Sequence, residues 1–257
     1  MRVLLTGASR GIGRAIAARL AGPGAFLALC ASSPSAELDA IVATCAERGA
    51  RVEPLIGDLA DPAVPARLVG TATDRLGGLD AVVSNAGVVA PGRLCDLDEE
   101  AWDRTFAINV RSAWLLARAA HPHLRAARGS LVAIASMSGV EPYPGTGAYS
   151  PSKAALIMLV RSLAQEWAAD GVRVNAVSPG LFRTAMTAPI YADPQKTAAR
   201  EALVPMGRIG DPEQDCAGLV AFLLSPDAGY LTGQNLLVDG GLLGSIQSHL
   251  AGRPKSG

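Results

Sequence analysis

RVLLTGASRGIGRAIAARLAG, residues 2–22, changes character twice within 21 residues. Its first five residues form a short, mostly apolar run that reads as a buried strand. Its second half, GIGRAIAARLAG, opens on glycines, carries an amphipathic helical pattern and closes on another glycine. Between them Gly7, Gly11 and Gly13 mark a turn where backbone can approach a pyrophosphate closely. The helix that follows offers orphan N–H donors and partial positive charge at its start. The stretch therefore predicts a strand, a turn and a helix built around a dinucleotide, a turn that serves packing alone being the competing reading. Its spacing is G-x-x-x-G-x-G rather than the common G-x-G-x-x-G.

The rhythm of that unit continues along the chain. AFLALCA (25–31), RVEPLI (51–56), DAVVSN (80–85), SLVAIAS (130–136), VRVNAVS (172–178) and NLLVDGG (235–241) read as further strands. Most are continuously apolar, as strands covered on both faces are. Helical segments lie between them, among them PSAELDAIVATCAERG, with a serine cap, and PEQDCAGLVAFLLS, with proline in its first turn. Strands alternating with helices require parallel crossovers, so the expected fold is one α/β, doubly wound, Rossmann-type domain over residues 1–245. It has a seven-stranded parallel sheet with helices on both faces. A tail over 246–257, ending AGRPKSG, is expected to fray.

Composition limits the partners. The 257 residues are 49% hydrophobic and 18% charged, with 23 basic and 23 acidic side chains. A net charge of zero gives no footprint for nucleic acid or an anionic membrane surface. Small molecules and copies of the chain itself are the expected partners. Cys30, Cys45, Cys95 and Cys216 lack metal-ligand spacing, so no metal site is expected. With no signal-like start and no long apolar span, the reading is a reduced, cytoplasmic protein.

Later motifs add chemistry to the turn. In AYSPSKAAL (148–156), Tyr149 and Lys153 are four residues apart and share a helix face. Ser136 ends a strand thirteen residues before the tyrosine, with Ser138 its rival two residues on. Together TGASRGIG (6–13), NAG (85–87), Ser136, YSPSK (149–153) and SPG (178–180) resemble the short-chain dehydrogenase/reductase family, classical type. The similarity extends through GRIGDPE and YLTGQNLLVDGG, nearly the whole chain.

The resemblance implies a nicotinamide-dependent oxidoreductase acting between carbonyls and secondary alcohols. Tyr149 would be general acid in reduction and base in oxidation, with the Lys153 cation lowering its pKa and hydrogen-bonding the nicotinamide ribose. Ser136 would donate to the substrate carbonyl, and Asn109 would help hold a proton-relaying water. For the cofactor, Gly7, Ser9, Arg10, Gly11, Ile12 and Gly13 would be contacts at the turn, the glycines against the pyrophosphate, and Asp58 would bond the adenine amino group, with Leu59 a further cofactor contact. Asn85, Ala86 and Gly87 would run along the adenine ribose, while Pro179, Gly180 and Thr184 would face the nicotinamide.

No carboxylate follows the second strand, where Ala31, Ser32 and Ser33 stand. An acid there would accept from the ribose 2′-hydroxyl and repel a 2′-phosphate. Its absence, with Arg10 before the second glycine placed as in relatives that pair a basic residue with the 2′-phosphate and Ser32 and Ser33 as added hydroxyl donors, favours NADP; NAD is the runner-up, since the arginine common directly after the strand is also missing.

The substrate is expected against loops 88–96, 137–147 and 181–206, where Val88, Val89, Val140, Tyr143, Leu181, Phe182 and Met186 predict a mostly apolar pocket. Arg93 and Arg183 are candidates for an anionic substrate group. Two alternatives stand beside the leading reading: a 3-oxoacyl carrier-protein reductase and a non-catalytic dinucleotide-binding scaffold or sensor. Arg104, Arg111, Arg118 and Arg125 recur every seven residues and read as a partly solvated subunit face. The helical segments 98–126 and 148–169 carry more apolar surface than one sheet face can cover, which predicts self-association, and the resemblance implies a homotetramer, with a dimer as runner-up.

Overall fold

Strand β1 (Arg2–Thr6) lies at the middle of a sheet ordered β3-β2-β1-β4-β5-β6-β7, all pairings parallel. The others are β2 (Phe26–Ala31), β3 (Arg51–Ile56), β4 (Ala81–Ser84), β5 (Ser130–Ile134), β6 (Arg173–Pro179) and β7 (Asn235–Val238). Each falls within one of the seven apolar runs, except that β6 extends one residue past its run, to Pro179. This is a computed structural model, and it describes residues 1–245; the frayed tail expected over 246–257 lies outside the described residues.

Alternation within the strands divides the core in two. Leu4, Val82, Leu131 and Val174 pack on one face with Leu68, Leu116, Leu124 and Leu156. Val3, Leu5, Leu29, Val83, Val132 and Val177 pack on the other with Ile16, Ile41, Val220 and Leu223. The first layer draws on α3 (Val64–Leu76), α5 (Ser112–Ala127) and α6 (Tyr149–Trp167). The second draws on α1 (Gly11–Leu20), α2 (Ala36–Glu47) and α9 (Ala217–Leu224). Alternate residues of one strand are thus buried on opposite faces, which is why the strands read as nearly unbroken apolar runs.

The strand order reverses direction at β1, which has β2 on one side and β4 on the other. Crossovers leaving these two neighbours part to opposite faces, opening a crevice beyond the carboxyl ends of the strands. All the predicted site segments leave those ends.

The expected helix over 98–126 is interrupted. It consists of α4 (Glu99–Phe106), a π-helical stretch at Ala107–Arg111, and α5, which carries Pro122 inside it. The wide turn holds Asn109, whose amide bonds outside the helix; such π-bulges recur at functional sites. The expected segment 148–169 is α6 followed by a single 3₁₀ turn, Ala168–Asp170. Between β6 and β7 the chain forms two short helices, α7 (Ala188–Tyr191) and α8 (Pro194–Glu201), within the loop expected to cover the substrate.

Candidate active site

The glycine turn is fixed by contacts across the switch point. The buried Thr6 hydroxyl at the end of β1 accepts from the backbone N–H groups of Asn85 and Ala86, each at 3.1 Å. Asn85 returns the link, its Nδ2 donating to the carbonyls of Thr6 and Gly7 at 3.0 Å. Gly13 admits the closest approach: a Cβ there would fall 2.0 Å from the Gly7 carbonyl oxygen. Gly7 and Gly11 take φ of +65° and +57°, a left-handed conformation costly for other residues. The Asn85 side chain therefore supports the turn, leaving its backbone neighbours Ala86 and Gly87 to face the crevice.

That crevice is a cleft of about 640 Å³. Every residue predicted to contact a dinucleotide lines it, from Gly7 and Arg10 at the turn to Ser32, Asp58, Gly87 and Thr184. Ser136, Tyr149 and Lys153 line it too. A dinucleotide fits this arrangement, because Gly7, Gly11, Gly13, Gly87 and Gly180 line the cleft with backbone alone. At Gly87 a Cβ would lie 3.3 Å from Lys153 Nζ and 3.4 Å from Asn109 Oδ1.

At one end the groups are deeply buried. Lys153, 3% exposed, donates from Nζ to the Ile134 carbonyl at 2.7 Å, at the end of β5. Burial pulls its pKa down to about 8. Its Nζ lies 5.7 Å from the centre of the Tyr149 ring. Tyr149 itself is held above the ordinary tyrosine value by burial, with the Ser136 hydroxyl pulling the other way. The depressed phenol expected from the sequence is absent in this conformation, because desolvation outweighs the hydrogen bond and the lysine is engaged with Ile134.

Ser136 stands in extended backbone, and its Oγ accepts from the Ser138 N–H at 3.1 Å. The turn after it packs tightly on α6: a Cβ at Gly139 would fall 2.6 Å from the Lys153 carbonyl carbon. Asn109 sits behind the cleft. Its Nδ2 donates to the Val88 carbonyl and the Ser152 Oγ at 3.0 Å, and its Oδ1 accepts from Val88 N–H at 2.9 Å. Ser152 in turn donates to the Tyr149 carbonyl at 2.7 Å. The Asn109 amide thus ties the chain after β4 to the first turn of α6, with one Oδ1 lone pair spare on the side of Gly87 and Lys153.

The other end of the cleft is open and charged. Arg10 and Ser32 are exposed, and no acid follows β2 directly. Glu37 in the first turn of α2 feels the Arg10 charge; its carboxyl is held below the usual range by its own backbone N–H, then Ser35, and least by Arg10. Asp58 does not cap α3, which starts at Val64 with Ala63 as its cap residue. Its Oδ1 accepts from Ala60 N–H at 3.0 Å, and its Oδ2 pairs with Arg104 at 3.4 Å.

Thr6, Ser152, Gly139 and Arg104 join the site without having been expected there: Thr6 and Ser152 lie inside the quoted motifs and Arg104 in the arginine stripe, but their partners across the fold are not written in their local sequence. Thr187 belongs with them: its hydroxyl accepts from Thr184 N–H at 2.9 Å and donates to the Phe182 carbonyl at 2.7 Å, fixing the turn that carries Thr184. Cys30 lines the cleft as an inert thiol, since burial pushes its pKa up to about 12 against the opposing charge of Arg67.

The substrate loops match the expectation in part. Val88, Val89, Phe182 and Met186 line the cleft, whereas Val140 and Tyr143 are exposed. Neither arginine proposed for an anionic substrate is without a partner: Arg93 lies 3.9 Å from Asp96, and Arg183 lies 3.3 Å from Glu201. Nor is the arginine stripe a free face. Arg104 pairs with Asp58, Arg111 donates to the Ala60 carbonyl, Arg118 lies over Trp114 and Arg125 pairs with Asp170.

Among the described residues no group of three His, Cys, Asp or Glu could hold a metal ion, and no helix is long and apolar enough to cross a membrane.

Residues 7–243 match the family described as enoyl-(acyl carrier protein) reductase. Over 250 residues the chain is 40% identical to dehydrogenase/reductase SDR family member 4 of Bos taurus, covering 96% of this chain and 87% of that protein. It is 36% identical to L-rhamnose 1-dehydrogenase (NAD(P)(+)) of a Sphingomonas strain, covering 95% and 97%. A short-chain dehydrogenase from Burkholderia cenocepacia, solved in complex with NADP, superimposes with a TM-score of 0.87 at 36% identity, covering 94% of this chain and 97% of the other.

Proposed function

The chain belongs to the short-chain dehydrogenase/reductase family of oxidoreductases, and from that premise we propose that it interconverts carbonyls and secondary alcohols with NADP(H). One observation carries the reading. Ser136, just beyond the end of β5, and Tyr149 and Lys153, in the first turns of α6, line the same cleft as the glycine turn. A protein that merely sensed a dinucleotide would have no use for a buried lysine and tyrosine at the end of that cleft, where each is costly to desolvate.

The cofactor supplies the hydride that reaches or leaves the substrate carbon. The chain supplies the proton. In reduction the Tyr149 phenol gives its proton to the substrate oxygen as charge develops there, and in oxidation it takes that proton back. Ser136 Oγ donates to the same oxygen, holding it beside the phenol. The Lys153 ammonium favours the phenolate left behind and bonds the nicotinamide ribose; that role asks its Nζ to turn from the Ile134 carbonyl toward the cleft. Asn109 holds Val88 and Ser152 in place around them and directs its spare lone pair to a water that relays protons to Lys153.

Arg10, Ser32 and the absence of a carboxylate after β2 support NADP over NAD, with charge-assisted bonds to a 2′-phosphate. The NADP complex of the Burkholderia dehydrogenase agrees with that preference, while the NAD(P) name of the Sphingomonas relative keeps NAD as the runner-up. A carrier-protein reductase would present a basic face to an acidic partner. The engagement of Arg104, Arg111, Arg118 and Arg125 within the chain argues against that reading.

We read residues 1–245 as one catalytic domain. Exposed Trp102, Trp114, Met158 and Phe222 on its helices support a homotetramer, with a dimer as runner-up. Four free cysteines, three of them buried, suit a reducing cytoplasm. Fluorescence titration with NADPH and, separately, NADH tests the cofactor, followed by a panel of ketones in the reductive direction. Tighter NADPH binding and turnover of a ketone are expected; failure to bind either dinucleotide overturns the reading.

A further inference from the structure

We propose that Arg104 and Arg111 form a two-point clamp that sets the Asp58 carboxylate for the adenine base, making Arg104 a positioning residue for cofactor affinity. The inference rests on the dinucleotide reading above, in which Asp58 accepts from the adenine amino group. Two arginines seven residues apart on the stretch from α4 through the π-helical turn reach one short segment. Arg104 Nη2 bonds Asp58 Oδ2 at 3.4 Å, and Arg111 Nη2 donates to the Ala60 carbonyl at 2.6 Å.

The segment needs holding. Asp58 is on the connection between β3 and α3, its side chain about half exposed, and it caps no helix. A half-exposed carboxylate on a connecting turn samples several rotamers, and ordering it on binding costs affinity. Here both its oxygens are bonded: Oδ1 to the Ala60 N–H at 3.0 Å and Oδ2 to Arg104. Ala60, which supplies the first bond, is itself held by Arg111. Each carboxylate oxygen keeps a lone pair for an amino group, so the clamp orients Asp58 without consuming it.

Arg104 also lines the cleft beside Gly57, Asp58 and Leu59, so it stands where a base would lie. The exposed arginine stripe in the sequence thus has its first two members spent on the cofactor cleft. An exposed ion pair of this kind contributes little to stability. Its effect is expected in binding.

The experiment is a double-mutant cycle on the full chain, read by fluorescence titration with NADPH: native, Arg104→Met, Asp58→Asn and the double variant. Each single variant is expected to weaken binding about tenfold, as loss of a charged hydrogen bond does. The double variant is expected to lose about tenfold as well, rather than about a hundredfold, because Arg104 acts through Asp58. Reduced nicotinamide mononucleotide, which lacks the adenosine half, binds all four proteins equally. Arg111→Met, which loosens only the Ala60 contact, weakens NADPH by a smaller factor.

Additive losses would overturn the clamp, since they would mean that Arg104 acts on the phosphates independently of Asp58. Native affinity in Arg104→Met would overturn it too, as would a parallel loss for the mononucleotide. Failure of the native chain to bind any dinucleotide would instead remove the reading on which the clamp rests.

Discussion

The two ends of the cleft are built on opposite physical terms. At the Tyr149 end, Lys153 on α6 and Asn109 on the π-helical turn are buried, and their bonds run to the backbone of Ile134 and Val88 and to the Ser152 hydroxyl. At the Asp58 end, Arg10, Ser32, Asp58 and Arg104 are on turns and helix ends in contact with solvent. The difference teaches where each kind of work can be placed. Proton transfer needs groups whose pKa values are moved by burial, and burial costs stability. Recognition of a charged, polar cofactor half needs donors and acceptors that stay solvated until the ligand arrives, and those cost the fold little.

The largest expected effect breaks the comparison at the buried end. Tyr149→Phe keeps the ring and removes the proton donor, so turnover should fall by at least about a hundredfold while NADPH binding stays within about twofold of native. Steady-state kinetics and titration of one preparation check it. Near-native turnover would strip Tyr149 of its role.

Lys153 gives the next effect, in the opposite sense for stability. Its pKa is about 8 in the folded chain against an ordinary 10.5. Between those values the unfolded chain binds more protons, so this group makes the protein more stable as pH rises from 8 to 10.5, and its full cost is present below 8. That cost is about 3 kcal/mol, fully buried and so undiminished by solvent. Lys153→Met removes it but leaves the Ile134 carbonyl without its donor, a loss of about 1 kcal/mol. The variant should be inactive yet more stable by about 2 kcal/mol at pH 7, with the gain fading above pH 8. Urea unfolding at pH 7 and pH 10 measures both; a variant less stable than native at pH 7 would show that the lysine is compensated by groups other than Ile134.

The open end should respond more weakly and only in affinity. Arg10→Ala is expected to weaken NADPH about tenfold and NADH by less than about twofold, because only the former carries the 2′-phosphate. Equal losses for both would reassign Arg10 to the pyrophosphate and return the choice of cofactor to NAD.

The same contrast explains what could be read before the fold was known. The strands and the glycine turn were legible because each is encoded locally, in an apolar run or a glycine spacing, whereas Ser136, Tyr149 and Lys153 were singled out only by the family resemblance that joins several motifs. The helix over 98–126 was read as continuous because the π-helical turn at Ala107–Arg111 depends on Asn109 reaching Val88, 21 residues away in sequence. Thr6 and Ser152 were missed for the same reason: their partners lie on other strands and helices, 79 and 43 residues distant. The arginine stripe was legible as a partly solvated face, and Arg104 and Arg125 are more than half exposed, but its partners within the chain were not legible. Its period is a property of the helix, whereas its partners Asp58, Ala60 and Asp170 come from other elements.

The smallest expected effect concerns the two serines that the sequence offered as rivals. Both are buried, and the structure connects them through a backbone group: the Ser138 N–H donates to Ser136 Oγ. Replacing Ser138 by alanine keeps that N–H and the turn that supplies it. Replacing Ser136 removes the acceptor and the hydroxyl that interacts with the Tyr149 phenol. Turnover should therefore change by less than about twofold in Ser138→Ala and fall by at least about tenfold in Ser136→Ala, the usual cost of a hydrogen bond to developing charge. If Ser138→Ala proved the more damaging, the substrate oxygen would bind nearer the second serine, and the contact with Tyr149 would have to come from a different pose of the turn.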